Sequence, residues 1–204
     1  MESFAEQTTR EKIITSAIDL FSEKGFFETS VRELAKKSNL KVSSLYSHFT
    51  SKEEILDVIL AYYQQELTKV RIPDERLDTI ITNYTPEEIL ARGFARIIET
   101  TASQTMNKIV KILVMELYRN PKVRQFYQQW YFNENRVAVI KLFSKLQEKG
   151  IIKPIDPELL TSMYNAMINF YYHEYFLAKS ENKDTRDLET KIKEHMKLFV
   201  GLLK

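Results

Sequence analysis

Apolar side chains recur along the chain at three- and four-residue intervals, the spacing that lines up one face of a helix. Ile13, Ile14, Ala17, Ile18 and Phe21 form the first such face. Thr8-x-x-Glu11, just before it, is a capping-box pattern in which hydroxyl and carboxylate reciprocally satisfy the N–H groups that open a helix. The spacing predicts a helix from Thr8 to about Lys24, stopped by Gly25. Ser30-x-x-Glu33 opens a second, short helix that turns Val31, Leu34 and Ala35 inward and ends near Ser38-Asn39. A third, Val42 to Phe49, is expected to bury Val42, Leu45 and Phe49 at i, i+3 and i+7 and to point Ser43, Ser44, Tyr46, Ser47 and His48 elsewhere. Ser51-x-x-Glu54 starts a fourth through Ile55, Leu56, Ile59, Tyr63 and Leu67. Three short helices separated by tight polar turns read as a helix-turn-helix.

Beyond Val70 the pattern breaks at Pro73, so a connection is placed up to Thr85, with one short helix around Arg76–Thr82. Thr85-Pro86, Asn120-Pro121 and Asp156-Pro157 each set a capping residue before a proline, whose fixed φ and missing N–H suit the first helical position. Helices of about 87–103, 106–119, 121–149 and 157–179 follow, with Gly150 ending the longest. The last, 184–203, carries Leu188, Ile192, Met196, Phe199 and Leu203 on one stripe.

Composition agrees with this reading. Only four Gly and five Pro occur among 204 residues, and 28% of the chain is charged, which favours helices over a turn-rich β architecture. There is no cysteine, so disulfides, thiolate metal sites and a cysteine nucleophile are excluded. The start Met1-Glu2-Ser3-Phe4-Ala5-Glu6 has neither a basic nor an apolar segment of the kind that targets a chain for export, and no stretch of about 18 apolar residues occurs. A cytoplasmic protein without membrane contact is expected. The net charge of +2 says little about partners, but its distribution does. Between Leu34 and Lys52 there is no acidic residue, while Lys36, Lys37, Lys41 and Lys52 are basic. Helix 3 adds Ser43 and Ser44, short enough to approach base edges in a major groove, and Tyr46, His48 and Lys52, which could reach backbone phosphates.

The run Gly25-Phe26-Phe27-Glu28-Thr29-Ser30-Val31-Arg32-Glu33-Leu34-Ala35, followed by Leu45-Tyr46-Ser47-His48-Phe49-x-Ser51-Lys52-Glu53-Glu54-Ile55-Leu56, resembles the DNA-binding head of the tetracycline-repressor (TetR) family. The resemblance covers about the first 65 residues. It implies an all-α fold of about nine helices: an N-terminal three-helix helix-turn-helix head, then a larger helical ligand-binding and dimerisation body. The boundaries expected are a DNA-binding domain at 1–51, helix 4 at 52–69 as the connection, and an effector-binding and dimerisation domain at 70–204. It further implies a homodimeric transcriptional repressor that binds a palindromic operator in double-stranded DNA and is released by a small-molecule effector. By position, Tyr46, His48 and Lys52 would hold phosphates, as would Thr29 or Ser30 from the start of helix 2. Lys41, Val42, Ser43 and Ser44 would face bases, with Ser47 beside them. Two positions depart from the common pattern. Lys41, Val42 and Ser43 stand where many members have a capping serine followed by Lys-Gly, and Ser47 stands where a larger aromatic residue is frequent.

For the body, Tyr127, Trp130, Tyr131 and Phe170 are candidates to line an effector pocket, against the alternative that they are plain core or dimer interface. Two carboxylates fall on apolar arcs: Glu116 among Ile109, Ile112, Leu113 and Leu117, and Glu174 among Met163, Met167, Phe170 and Tyr171. A buried carboxylate needs a partner. Each would either accept a hydrogen bond from an effector, couple to a partner that changes on binding, or pair with Arg92, Arg96, a tyrosine hydroxyl or a second subunit. Helices at 157–203 are expected to pair with their copies as a four-helix bundle, because their apolar surface exceeds what one subunit covers. An enzyme is not expected: three histidines, no H-E-x-x-H, no G-x-S-x-G and no phosphate-binding glycine loop leave no catalytic constellation, metal site or cofactor. The remaining alternative is a helical protein-interaction module without sequence-specific DNA binding.

Overall fold

A computed structural model describes residues 8–204; the stretch 1–7, read above for its lack of an export-like segment, lies outside them. The described residues form eleven α-helices and no strand: α1 (Thr9–Lys24), α2 (Val31–Lys37), α3 (Val42–Tyr46), α4 (Lys52–Thr68), α5 (Leu77–Asn83), α6 (Pro86–Thr101), α7 (Gln104–Glu116), α8 (Pro121–Phe126), α9 (Asn135–Glu148), α10 (Pro157–Ser180) and α11 (Arg186–Leu203). A single 3-10 turn, Asp74–Arg76, precedes α5.

Local chemistry explains most boundaries. Thr8 and Ser30 each accept the N–H three residues on, and Glu11 and Glu33 reach back to the cap, so both expected capping boxes form. Ser51 caps α4, but the Glu54 carboxylate bonds the N–H and hydroxyl of Thr50 instead. Asn120 and Asp156 accept the N–H two residues on, ahead of Pro121 and Pro157. At the other ends, Gly25 and Gly150 hold φ of 94° and 67°, where a Cβ would be strained. Asn39 (φ 55°) closes α2 with a Schellman pair, Leu40 N–H to Ala35 C=O at 2.8 Å and Asn39 N–H to Lys36 C=O at 3.1 Å.

Two expectations are corrected here. α3 ends at Tyr46, and Val42, expected inside, is 37% exposed; Leu45 and Phe49 alone anchor this segment. A five-residue helix turns less than one and a half times, so it fixes one apolar position rather than a stripe. The single helix expected at 121–149 is interrupted by a π-helical segment, Tyr127–Glu134, whose wider turns shift which face looks inward. By residue contacts the described residues fall into two units, 8–69 with Thr100–Trp130 and Val70–Glu99 with Tyr131–Lys204.

In the first unit α1 packs on α2, α4 and α7, and α4 also meets α7 and α8. Ile13, Ala17, Phe21, Leu34, Leu45, Phe49, Ile55, Leu56 and Ile59 form its core, joined by Ile109, Ile112 and Val123. Charge as well as packing ties α7 and α8 into this unit: Lys108 of α7 pairs with Asp19 of α1 at 2.6 Å, and Lys122 of α8 with Asp57 of α4 at 2.7 Å. In the second unit α10 lies against α9 and α11. The rings of Phe143, Tyr164 and Phe199 meet there with centroids 6.0 to 6.4 Å apart. No described helix is long and apolar enough to cross a membrane.

Candidate nucleic-acid interface

The head presents α3 and the turns on either side of it. Lys41, Ser43, Tyr46, Ser47 and His48 are exposed and Ser44 is half-buried, while Leu45 beneath them is fully buried. This is a polar, acid-free ridge on an apolar anchor. Lys41 opens α3 without any side-chain cap, as the displaced capping serine in the sequence led one to expect. Ser47 donates its hydroxyl to the Ser44 carbonyl at 2.7 Å. The turn into α4 is held from behind by Arg10 of α1, which donates to the His48 carbonyl at 3.1 Å and lies over the Phe49 ring at 4.2 Å.

Beside α3 runs an open groove of about 620 Å³, lined by Arg32, Ala35, Lys36, Asn39, Leu40, Lys41 and Val42. Arg32 and Lys36 extend the positive surface onto α2. From the sequence Lys36 was counted in the basic patch and Arg32 was not, although their i, i+4 spacing on the polar face of α2 was visible. Lys37, part of the same run, is turned the other way, 3.5 Å from Asp19 and 3.7 Å from Glu23.

Three expected phosphate ligands are placed differently. Thr29 is buried and donates its hydroxyl to the Gly25 carbonyl at 2.8 Å. The Ser30 hydroxyl is engaged in its own capping box, donating to Glu33 at 2.7 Å. Lys52 points inward: its ammonium donates to the carbonyls of Phe26 at 2.7 Å and Thr29 at 2.8 Å and sits 4.2 Å from the centre of the Phe26 ring. Burial pushes this lysine below its ordinary value, partly offset by the carboxylates of Glu53, Glu116 and Glu28. A lysine at a helix start reaches either outward or back, and two carbonyls of the loop between α1 and α2 decide it here. Glu33 is held well below the usual carboxylate range, to about 2, by the Lys24 ammonium first and then by the Ser30 N–H and hydroxyl.

The candidates for an effector are scattered. Glu116 is fully buried, and its Oε1 accepts the N–H of Phe26 at 2.9 Å, so its partner is the head's own backbone. Trp130 is buried, and Tyr127 is half-buried with its phenol pushed up by burial. Tyr131 is also half-buried. Phe170 and Glu174, expected among apolar neighbours, are exposed. α10 is apolar on both sides, and its inward face is taken by Leu160, Tyr164, Ile168, Tyr171, Tyr172 and Tyr175, which leaves the arc through Met163, Phe170 and Glu174 outside.

Residues 13–59 match the family model described as "Bacterial regulatory proteins, tetR family". The HTH-type transcriptional regulator UidR of Escherichia coli K12 is 26% identical over 163 residues, 79% of this chain and 76% of that protein. IcaR of Staphylococcus aureus strain Newman, the HTH-type negative transcriptional regulator of the biofilm operon icaADBC, is 50% identical over 48 residues, 24% of this chain and 26% of its own. Among solved structures, AibR in complex with isovaleryl coenzyme A and operator DNA superposes with a TM-score of 0.66 at 22% identity, over 96% of this chain and 98% of that one. The acid-free ridge of α3, the turn that fixes it and these matches agree: residues 13–59 form a head similar to that of the tetR family of bacterial regulatory proteins, and the chain is a DNA-binding transcriptional regulator.

Proposed function

We propose that the protein is a homodimeric repressor that binds a palindromic operator in the cytoplasm through two copies of the α3 ridge and is released by a small-molecule effector, without enzymatic activity. The observation that carries the dimer is an apolar surface left uncovered on α10 and α11. Leu159, Met163, Phe170 and Leu177 are 49 to 66% exposed, and Leu198 and Leu202 are 61 and 65% exposed. Their spacing on each helix keeps them on one face, and side chains this large are seldom left to water in a row. A second copy would cover them in a symmetric four-helix contact, since a two-fold axis brings the same patch from both chains.

Within each head, Tyr46 and His48 would hold phosphates, Lys41, Val42, Ser43 and Ser44 would face bases, and Ser47 would sit between them. Arg32 and Lys36 would extend the backbone contacts along the groove. Repression is supported by IcaR, named a negative regulator, and a small-molecule effector is supported by AibR, solved in complex with isovaleryl coenzyme A and operator DNA. The test is selection of duplexes from sheared source DNA with the purified chain. Retained sites should share an inverted repeat with half-sites about one helical turn or more apart and bind two protomers. Sites without two-fold symmetry, each bound by one protomer, would refute the proposal.

A further inference from the structure

The loop between α1 and α2 is gripped from two sides. Phe26 gives its N–H to Glu116 of α7 at 2.9 Å, and its carbonyl receives the Lys52 ammonium of α4 at 2.7 Å. Lys52 also reaches the Thr29 carbonyl, one residue before the cap of α2. Thr29 closes the loop on itself by donating to Gly25. Gly25 leaves room for the grip: a Cβ there would stand 3.0 Å from Glu116 Oε1, on a residue already at φ +94°.

Glu116 is a costly residue in this place. It lies in the last turn of α7, where the helix dipole disfavours a carboxylate. It is 0% exposed, and its Oε2 has no hydrogen-bond partner among the described residues. A buried acceptor left unmade destabilises, and what offsets this is one backbone amide held by the other oxygen and the charge of Lys52 close by. What the carboxylate does is fix one backbone amide 90 positions away, in the loop from which α2 departs. The same corner holds the loop a second time, because Arg119 approaches Glu28 at 3.7 Å. The Glu116 carbonyl also accepts the N–H of Arg119 and of Asn120, the cap of α8, so the side chain sits on the pivot between α7 and α8.

We infer that Glu116 is a positioning residue for DNA binding: through the Phe26 N–H it sets the loop before α2, and so passes the position of the α7–α8 corner to the surface that meets DNA. The inference rests on the DNA-binding reading and adds the contact by which the interior of the first unit controls it. Lys52 is the second jaw of the same clamp. A shift of the corner by about an ångström would break a 2.9 Å bond and free the loop, since hydrogen bonds weaken steeply with distance and angle.

The test uses the full chain, a duplex selected by the wild-type protein from a random double-stranded library, and two variants. Glu116→Gln keeps a carbonyl oxygen for the Phe26 N–H and nearly the same volume; Glu116→Ala removes the acceptor. For each, duplex affinity is measured by fluorescence anisotropy, stability by thermal melting, and exchange of the Phe26 amide in protein labelled with 15N-phenylalanine. Glu116→Ala should bind about tenfold or more weakly and exchange the Phe26 amide faster. Glu116→Gln should bind within about threefold of wild type with that amide still protected. Wild-type affinity in Glu116→Ala overturns the inference, as does equal loss in both variants while the amide stays protected in Glu116→Gln. A wild-type chain that retains no duplex at all overturns the DNA-binding reading itself.

Discussion

Phe170→Ala probes the dimer most sharply, because the ring contributes little within its own subunit. Phe170 keeps 65% of its surface exposed. A phenylalanine buries about 150–250 Å² when fully covered, so roughly 100–160 Å² per protomer is available to a partner, and about 200–300 Å² across a symmetric pair. At about 25 cal/mol per Å² this is about 5–7 kcal/mol. Ordering two rings and the area that alanine retains offset about 2–3 kcal/mol of it. The remaining ~3–4 kcal/mol corresponds to a dimer weaker by roughly two to three decades, at about 1.4 kcal/mol per decade. Sedimentation velocity across the micromolar range reads this directly, with a thermal melt to show that the subunit is still folded. A variant that dimerises like the wild type would refute the assignment of this face, and a wild type that stays monomeric would refute the four-helix contact altogether.

Other predictions concern the head. Lys36→Ala should weaken binding to all duplexes alike and reduce the slope of log affinity against log salt by about 1, whereas Ser44→Ala should change which duplex is preferred in a selection; equal losses on every sequence from Ser44→Ala would contradict that division. Phe49→Ala removes a ring that is 1% exposed and carries Arg10 on its face, so chemical denaturation should show a loss of about 3–5 kcal/mol. The Glu33 carboxylate, held at about 2 against an ordinary 4.5, contributes stability that is present above about 4.5 and lost as pH falls toward 2. A carboxyl titration followed by NMR should find its midpoint near the lower value in the wild type and higher in Lys24→Met, yet still below the ordinary one because the Ser30 N–H and hydroxyl still donate to Glu33.

How far the sequence could be read depends on the range of each interaction. Capping boxes at Thr8 and Ser30, prolines after Asn120 and Asp156, and the stops at Gly25 and Gly150 are decided within a few residues, and all of these stand in the structure. The exposed face of α3 was legible because a buried Leu45 fixes the phase of so short a helix. What escaped is longer in range or ambiguous by symmetry. Lys52 could reach solvent or the loop behind it, and only the loop carbonyls choose. Glu116 was visible as a carboxylate in an apolar arc, but a partner in a distant loop leaves no local pattern. On α10, apolar on both faces, a helical wheel cannot tell the arc of Glu174 from the arc of Tyr171, and packing against α9 and α11 settles which is inside.

The central claim is that the α3 ridge binds DNA, and salt-dependent retention tests it most directly. Purified protein is incubated with sheared source DNA at about 50 and 200 mM salt, and the retained fragments are sequenced. If a dimer contacts six or more phosphates, affinity should fall by on the order of a thousandfold between the two conditions, so one or a few sites should be enriched at low salt and lost at high salt. No enrichment at either salt, or retention indifferent to salt, would contradict the account.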